Sequence, residues 1–397
     1  MRSRKKVTIS AADVQAEAKS WIQLHLKLSN FSDKCPWSVV LAVLLFAAAR
    51  RKSIHDACGR LRGVPSDETL RKALYATLPD IRELERRINA ALADRLPKSF
   101  GKRPQRIAID LSEIPYHGQP QHDAREVRRG KPKSGTTHFH VYASAYVMQH
   151  GQRFTLAMTY VWKGETTAVV VKRLLRQVRR IGVKVRFLLL DKGFFNVEVV
   201  RYLQAARCPF LMPAFGRGRR AKRPTSGSLR ELLTRKRSGW TRYTWTSTAG
   251  QRATVSMCVV CKNYAGERNR HGRRTHVYAY WGIEPRSFEW VYETYRKRFG
   301  IETSYRQMNE VRIRTTTRSP LLRLLFVGIA LILRNVWVWC HLNWLCVKRG
   351  AGIYLREELM RLGEMLLWIQ TLIQEEFGLC LTKDIPPPPW LETAEGG

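Results

Sequence analysis

Between residue 11 and about residue 96, apolar positions recur at helical spacing among Ala, Leu, Arg and Glu, with few β-branched runs. Breaks fall only near Pro36, Gly59 to Gly63 and Pro79, so an all-helical segment is expected over 1–98. Within it, RKSIHDACGRLRGVPSDETLRKALYATL predicts two short helices around a Gly-Val-Pro turn, with Ser66 capping the second and Asp67 and Glu68 in its first turn. Such a pair suits helix-turn-helix docking on DNA, and equally plain bundle packing. Two longer apolar runs stand out. Trp37 to Ala49 is 13 residues, a length for a buried helix and short of the ~20 that span a bilayer. The other, Leu321 to Trp339, carries Arg323, Arg334 and Asn335, so its uninterrupted part is only Leu324 to Leu333. Both read as core helices.

After a linker at Leu96 to Gln105, rich in Pro, Gly and Lys, the period shortens. RIAIDLSEIPYHG begins with a strand that is expected to end at Asp110, and THFHVYASAYVMQHGQRFTLAMTYVW gives two strands around a hairpin at His150-Gly151. TTAVVVKRLLRQVRRIG is an amphipathic helix with a basic outer face, followed by the strand VRFLLLD, the helix VEVVRYLQAA and the strand PFLMPA. Residues 99–214 thus predict a mixed α/β sheet in which two strands end on an aspartate. From Phe215 to Gly239 there are nine Lys or Arg against one acid, Glu231, which predicts a solvated loop drawn to phosphate. WTRYTWTS, RATVSMCVVCK and THVYAYWGI then read as strands, so 215–287 is a basic, β-rich insertion. From about Phe288 to about Phe377 the chain reads as helical again, with final core helices over 288–347. Residues 348–397 hold a C-terminal helix and the proline-stiffened, disordered tail LTKDIPPPPWLETAEGG.

Charge narrows the partners. The 397 residues carry 70 Lys and Arg against 32 Asp and Glu, a formal charge of +38. A polyanion is the partner this excess suits, since each basic side chain set against a phosphate releases a condensed counterion. Eight cysteines are scattered, most within apolar segments, which suits a reducing cytosol. The N-terminus MRSRKKVTIS has charges but no apolar h-region after them, so secretion is not expected.

Chemistry is suggested by acids at special places. VRFLLLDKGFF drives Asp191 from a buried strand straight into a glycine turn, and a buried carboxylate is costly unless a cation, proton or donor meets it. Asp110 follows a second apolar strand, with Glu113 as its local competitor, and functional groups collect beyond the carboxyl ends of such strands. A third acid is offered by YETYRKRFGIETSYRQMNE, where Tyr295, Arg298, Glu302 and Tyr305 or Arg306 share one helical face at 100° per residue. Three converging carboxylates repel one another, and Mg²⁺ or Mn²⁺ bound by oxygen ligands resolves the conflict. Zinc was a rival for CVVCKNYAGERNRHGRRTH: Cys258 and Cys261 with His271 and His276 approximate a finger, but the spacing is short and no turn separates the cysteines, so strand packing is favoured. His117, His138 and His140 read as polar strand or loop residues.

The segments AIDLSEIPYHG, LLLDKGFF and YRKRFGIETSYRQ resemble the DDE transposases of prokaryotic insertion sequences, over about residues 100 to 345. The resemblance implies an RNase H-like catalytic core with a β-strand insertion before the last acid. It makes Asp110, Asp191 and Glu302 the catalytic acids and the metal ligands for two Mg²⁺ (or Mn²⁺) ions, which activate water and stabilise the leaving 3′ oxygen. Tyr295, Arg298 and Lys192 are implied to contact DNA. Asn309 stands where the family's helix carries a basic residue, with Arg306 on the same face as a substitute. The basic loop residues Arg217, Arg219, Arg220, Lys222 and Arg223 join the DNA contacts, and Trp240, Trp245 and Trp281 are candidates to hold a flipped base. Implied partners are double-stranded DNA, as terminal inverted repeats and target, and a second copy of the chain in the active complex. A cytoplasmic, nucleoid-associated prokaryotic protein follows. The rivals are a non-catalytic DNA binder and a plain Mg²⁺ nuclease that cannot join strands.

Overall fold

Ser10 opens the first helix with a capping box: its hydroxyl accepts from Asp13 N, and the Asp13 carboxylate accepts from Ser10 N. That helix, α1 (Ala11–Leu26), is followed by α2 (Trp37–Ala49), α3 (Ile54–Cys58), α4 (Asp67–Thr77), α5 (Ile81–Ala93) and α6 (Ser99–Lys102). Ser66 caps α4 through Thr69 N, as its sequence predicts. The computed structural model of the protein describes residues 8–149, 152–216, 228–266, 271–349, 352–354 and 356–382. His150-Gly151, the five basic residues from Arg217 to Arg223 and most of the proline-rich tail therefore lie outside the described residues.

One large sheet follows. Its strands are β1 (Gln105–Pro115), β2 (Arg128–Lys133), β3 (Thr136–Val147), β4 (Thr155–Val161), β5 (Val185–Leu190), β6 (Phe210–Pro213), β7 (Gly239–Thr246), β8 (Arg252–Ala265) and β9 (His271–Trp281). β1 is central, antiparallel to β3 and parallel to β5, while β6 runs parallel to β5 and β4 antiparallel to β3. The order β4-β3-β1-β5-β6 with those directions is the RNase H-like core that the resemblance implied. Helix α7 (Thr167–Arg180) lies between β4 and β5 and buries Val170, Val171, Leu174, Leu175 and Val178, turning Arg176, Arg179 and Arg180 outward while Arg173 donates to Tyr160 O of β4. α8 (Val197–Ala205) connects β5 to β6. The inserted strands do not form a sheet of their own: β9 pairs antiparallel with β6, at Phe210↔Trp281, and β8 and β7 continue outward.

Three expectations need correction. β1 runs five residues past Asp110, because Leu111 to Pro115 keep pairing with β3. The described end of the basic stretch is not a loop, since α9 (Leu229–Thr234) forms there, capped by Ser228 and anchored by buried Leu229 and Leu232. The helical region is also broken. After α10 (Phe288–Arg296), a 3₁₀ turn, α11 (Gly300–Val311) and α12 (Pro320–Cys340) comes a small hairpin, β10 (Val347–Arg349) and β11 (Gly352–Tyr354), before α13 (Leu362–Phe377). β2 was not foreseen either, since RRGKPK carries no apolar alternation.

The N-terminal helices share one apolar core with the C-terminal ones: α1 and α2 pack on α13, and α5 packs on α12 and β4. α12 is long and apolar enough to cross a membrane, yet 94% of its most apolar window is buried inside the protein. Arg334 and Asn335 are satisfied there. Arg334 donates to Gln307 Oε1 (3.0 Å), Arg153 O (2.7 Å) and Tyr146 Oη (2.7 Å), and Asn335 pairs with both backbone groups of Thr155. On α5, Asn89 and Glu85 bond the backbone of Met158 and Tyr160, so the free edge of β4 is closed by side chains.

Candidate active site

The parallel ladder between β1 and β5 ends at the pair Ile109↔Leu190. The next residue on each strand is an aspartate, so Asp110 and Asp191 stand side by side where the two strands part. β5 stops there because the chain turns into a 3₁₀ turn, Lys192–Phe194, whose Phe194 is buried. β1 instead keeps its second neighbour, with Asp110 opposite Ser144. Glu302 approaches from α11. The helix predicted across Tyr295 to Asn309 is interrupted by a 3₁₀ turn at Lys297–Phe299, which carries Arg298 inward.

All three acids meet on that one guanidinium. Arg298 donates Nη1 to Asp110 Oδ2 at 2.8 Å, and its Nη2 lies 3.2 Å from Glu302 Oε1 and 3.5 Å from Asp191 Oδ1. It is only 4% exposed. The acids grade outward from it, with side-chain exposures of 15% for Asp110, 34% for Asp191 and 53% for Glu302. Burial opposes the charge on Arg298, but Tyr295, Asp110 and Asp191 outweigh it and hold the group above its ordinary value. For Asp110 the balance goes the other way. Burial raises its carboxyl, with Arg298 opposing and Asp191 adding to the rise. Tyr305, half-buried on α11, fixes the strand beneath by donating to Asp110 O at 2.8 Å, with Ser144 Oγ 2.9 Å from the same hydroxyl.

The donor set suits a hard divalent cation, because it is carboxylate oxygen only and already gathers around a positive charge. Among the described residues, no three His, Cys, Asp or Glu side chains form a preformed cage. The acids are instead spaced around Arg298. Zinc finds no support: Cys258 is buried in β8, Cys261 Sγ lies 3.2 Å from Arg235 O, and His276 Nε2 lies 3.1 Å from Tyr264 Oη. His140 is buried against Tyr160 and pushed down to about 3 by burial, so it serves as a neutral strand residue.

The remaining candidates fall at different depths. Lys192 and Arg306 are exposed, while Tyr295 is buried with the Arg298 guanidinium 5.6 Å from its ring centre. Trp245 is stacked between Phe195 (4.8 Å) and Tyr243 (5.4 Å) and lines a cavity of about 790 Å³ that reaches Gly193, two residues past Asp191. Trp240, 43% exposed, stacks on Phe288 at 4.8 Å; Trp281 sits at the end of β9. Two features escaped sequence reasoning. Arg298 as the hub shows only once the 3₁₀ turn is known, and Ser144, one small residue in a strand, carries no signal of its own.

Strand order and insertion together define the RNase H-like class of fold. More narrowly, the chain matches the transposase DDE domain over residues 101–336 and belongs to that family. No curated protein matches it. Among solved structures it is similar to the piggyBac transposase, seen by cryo-EM in a synaptic complex with hairpin DNA. The two are 12% identical with a TM-score of 0.50, over 99% of this chain and 82% of that one, so the likeness is one of fold.

Proposed function

We propose that the protein is the transposase of a prokaryotic insertion sequence, cutting the element's ends by phosphodiester hydrolysis and joining the freed 3′-OH ends to target DNA. The observation that carries this is the meeting of Asp110, Asp191 and Glu302 on one buried cation at the opening of the β1–β5 ladder. Those three acids would hold Mg²⁺ or Mn²⁺, which when bound supplies Lewis-acid activation of water and neutralises charge at the scissile phosphate. Arg298 balances the acids, and a phosphate arriving beside it gains a charge-assisted donor. Lys192 and Arg306, exposed around the acids, would hold neighbouring phosphates. Trp245 is the best placed of the three tryptophans to stack an unpaired base, since its cavity reaches the turn after Asp191. Pairing two DNA ends calls for at least two copies in the active complex.

The test is nicking and strand joining on duplex DNA carrying the ends of the encoding element, with Mg²⁺ and with EDTA. Wild type should nick and join only with Mg²⁺, while Asp191→Asn should bind the DNA and do neither. Tight binding without any cleavage by the wild type would make the protein a non-catalytic binder, and nicking without joining a plain nuclease.

A further inference from the structure

Asn309, which stands where the family's helix carries a basic residue, is not idle. Its Oδ1 lies 3.4 Å from Nε of Arg312, the C-cap of α11. Arg312 is half-buried, and burial pushes it down to about 10, with Tyr142 opposing and Arg314, Arg323 and Arg51 adding to the fall. Arg323, 6% exposed, lies with its guanidinium 4.5 Å from the Tyr116 ring centre and donates Nε to Thr317 O at 2.7 Å. Among the described residues Arg312, Arg314 and Arg323 form no ion pair with a carboxylate. Beside Arg312 and Arg323, the hydroxyl of Tyr142 is buried with no hydrogen-bond partner.

Arg334 shows what a purely architectural arginine looks like in this protein. It is buried further, yet all its nitrogens are committed to oxygens of Gln307, Arg153 and Tyr146. Among the described residues Arg312 and Arg323 each spend only Nε in hydrogen bonds, and partly desolvated cations without a counter-charge are costly unless an anion completes them. Their place is telling. Tyr142 is two residues along β3 from Ser144, the partner of Asp110, and side chains at that spacing share a face. Tyr142 and Ser144 are thus roughly 7 Å apart along β3 at ~3.3 Å per residue.

We propose that Arg312, Arg314 and Arg323 form a seat for a non-scissile phosphodiester of the DNA whose scissile bond Asp110, Asp191 and Glu302 address, with Asn309 as the positioning residue that aims Arg312. The seat rests on the DNA-cleaving reading of the acids. It moves the family's basic contact one helical turn onward.

The experiment uses the full chain and duplex DNA carrying the element's ends, with binding followed by fluorescence anisotropy between about 50 and about 200 mM salt. Arg312→Gln and the exposed Arg314→Gln should each lower the slope of log affinity against log salt by about 0.9, and Arg312→Lys should restore it. Asn309→Ala should lower it in part, with no change in thermal midpoint. Replacing single phosphodiesters by uncharged methylphosphonates should reveal one linkage at which wild type loses affinity and Arg312→Gln does not. Unchanged slopes in both Gln variants, or a slope loss with no such linkage, overturn the seat while wild-type cleavage leaves the functional reading standing. A wild type that binds no DNA overturns both. A seat found in a protein that never nicks supports this proposal and sinks the catalytic one.

Discussion

Arg298 carries more of the site's electrostatics than any acid does. Removing it leaves Asp110 deep and unpaired, with Asp191 beside it. Breaking a fully buried pair costs ~3–5 kcal/mol; because Asp191 and Glu302 reach solvent, about 2–4 kcal/mol is expected for Arg298→Met in urea unfolding at pH 7. Asp110→Asn added to that variant should recover part of the loss, since it removes the stranded charge. Equal losses in single and double variants would mean the guanidinium stabilises by packing alone. The sequence displayed this site unevenly. Asp191 was legible because a run of apolar residues delivers an acid to a glycine turn. Asp110 was legible as a residue but not as a position, because Leu111 to Pro115 keep pairing with β3 for reasons that lie in β3. Arg298 read as a phosphate contact on a helical face. Its inward turn depends on a 3₁₀ segment whose residues, Lys-Arg-Phe, do not announce one.

Elements met the sequence halfway. α12 was legible as a core helix because Arg334 and Asn335 interrupt its apolar run, and they interrupt it for hydrogen bonds deep in the protein. How closely α12 meets α5 was not legible. A Cβ on Gly328 would fall 2.5 Å from Ile88 Cδ1 and 2.7 Å from its Cγ1, and Ile88 is fully buried with nowhere to retreat. Gly328→Ala should therefore cost about 1–3 kcal/mol by overpacking, although alanine is the better helix former. The Ile88→Val background should relieve part of that cost, and chemical denaturation of the two pairs measures it. A stabilised Gly328→Ala would show that α5 can step back freely.

At the scale of the whole molecule, the insertion and the core are one sheet. β9 covers the edge of β6, so excising residues 215–287 would expose an unpaired parallel strand in an otherwise apolar layer. Such a variant should aggregate, seen as light scattering and lost near-ultraviolet dichroism, whereas an independent insertion domain would leave a well-behaved core. The sequence showed three extra strands but could not show where they attach, since pairing between β6 and β9 joins residues as far apart as Phe210 and Trp281.

The shared core also sets a schedule for synthesis. α2 is apolar on every side, from Val40 to Ala48, and the helix that covers much of it, α13, begins only at Leu362, long after α2 has been made. At roughly 5–20 residues added per second, α2 emerges and waits on the order of 15–65 seconds for its cover. A nascent chain in that interval displays what chaperones bind, and a chain cut short before Leu362 displays it permanently. The fold thus leaves unfinished copies of the protein open to chaperones and proteases.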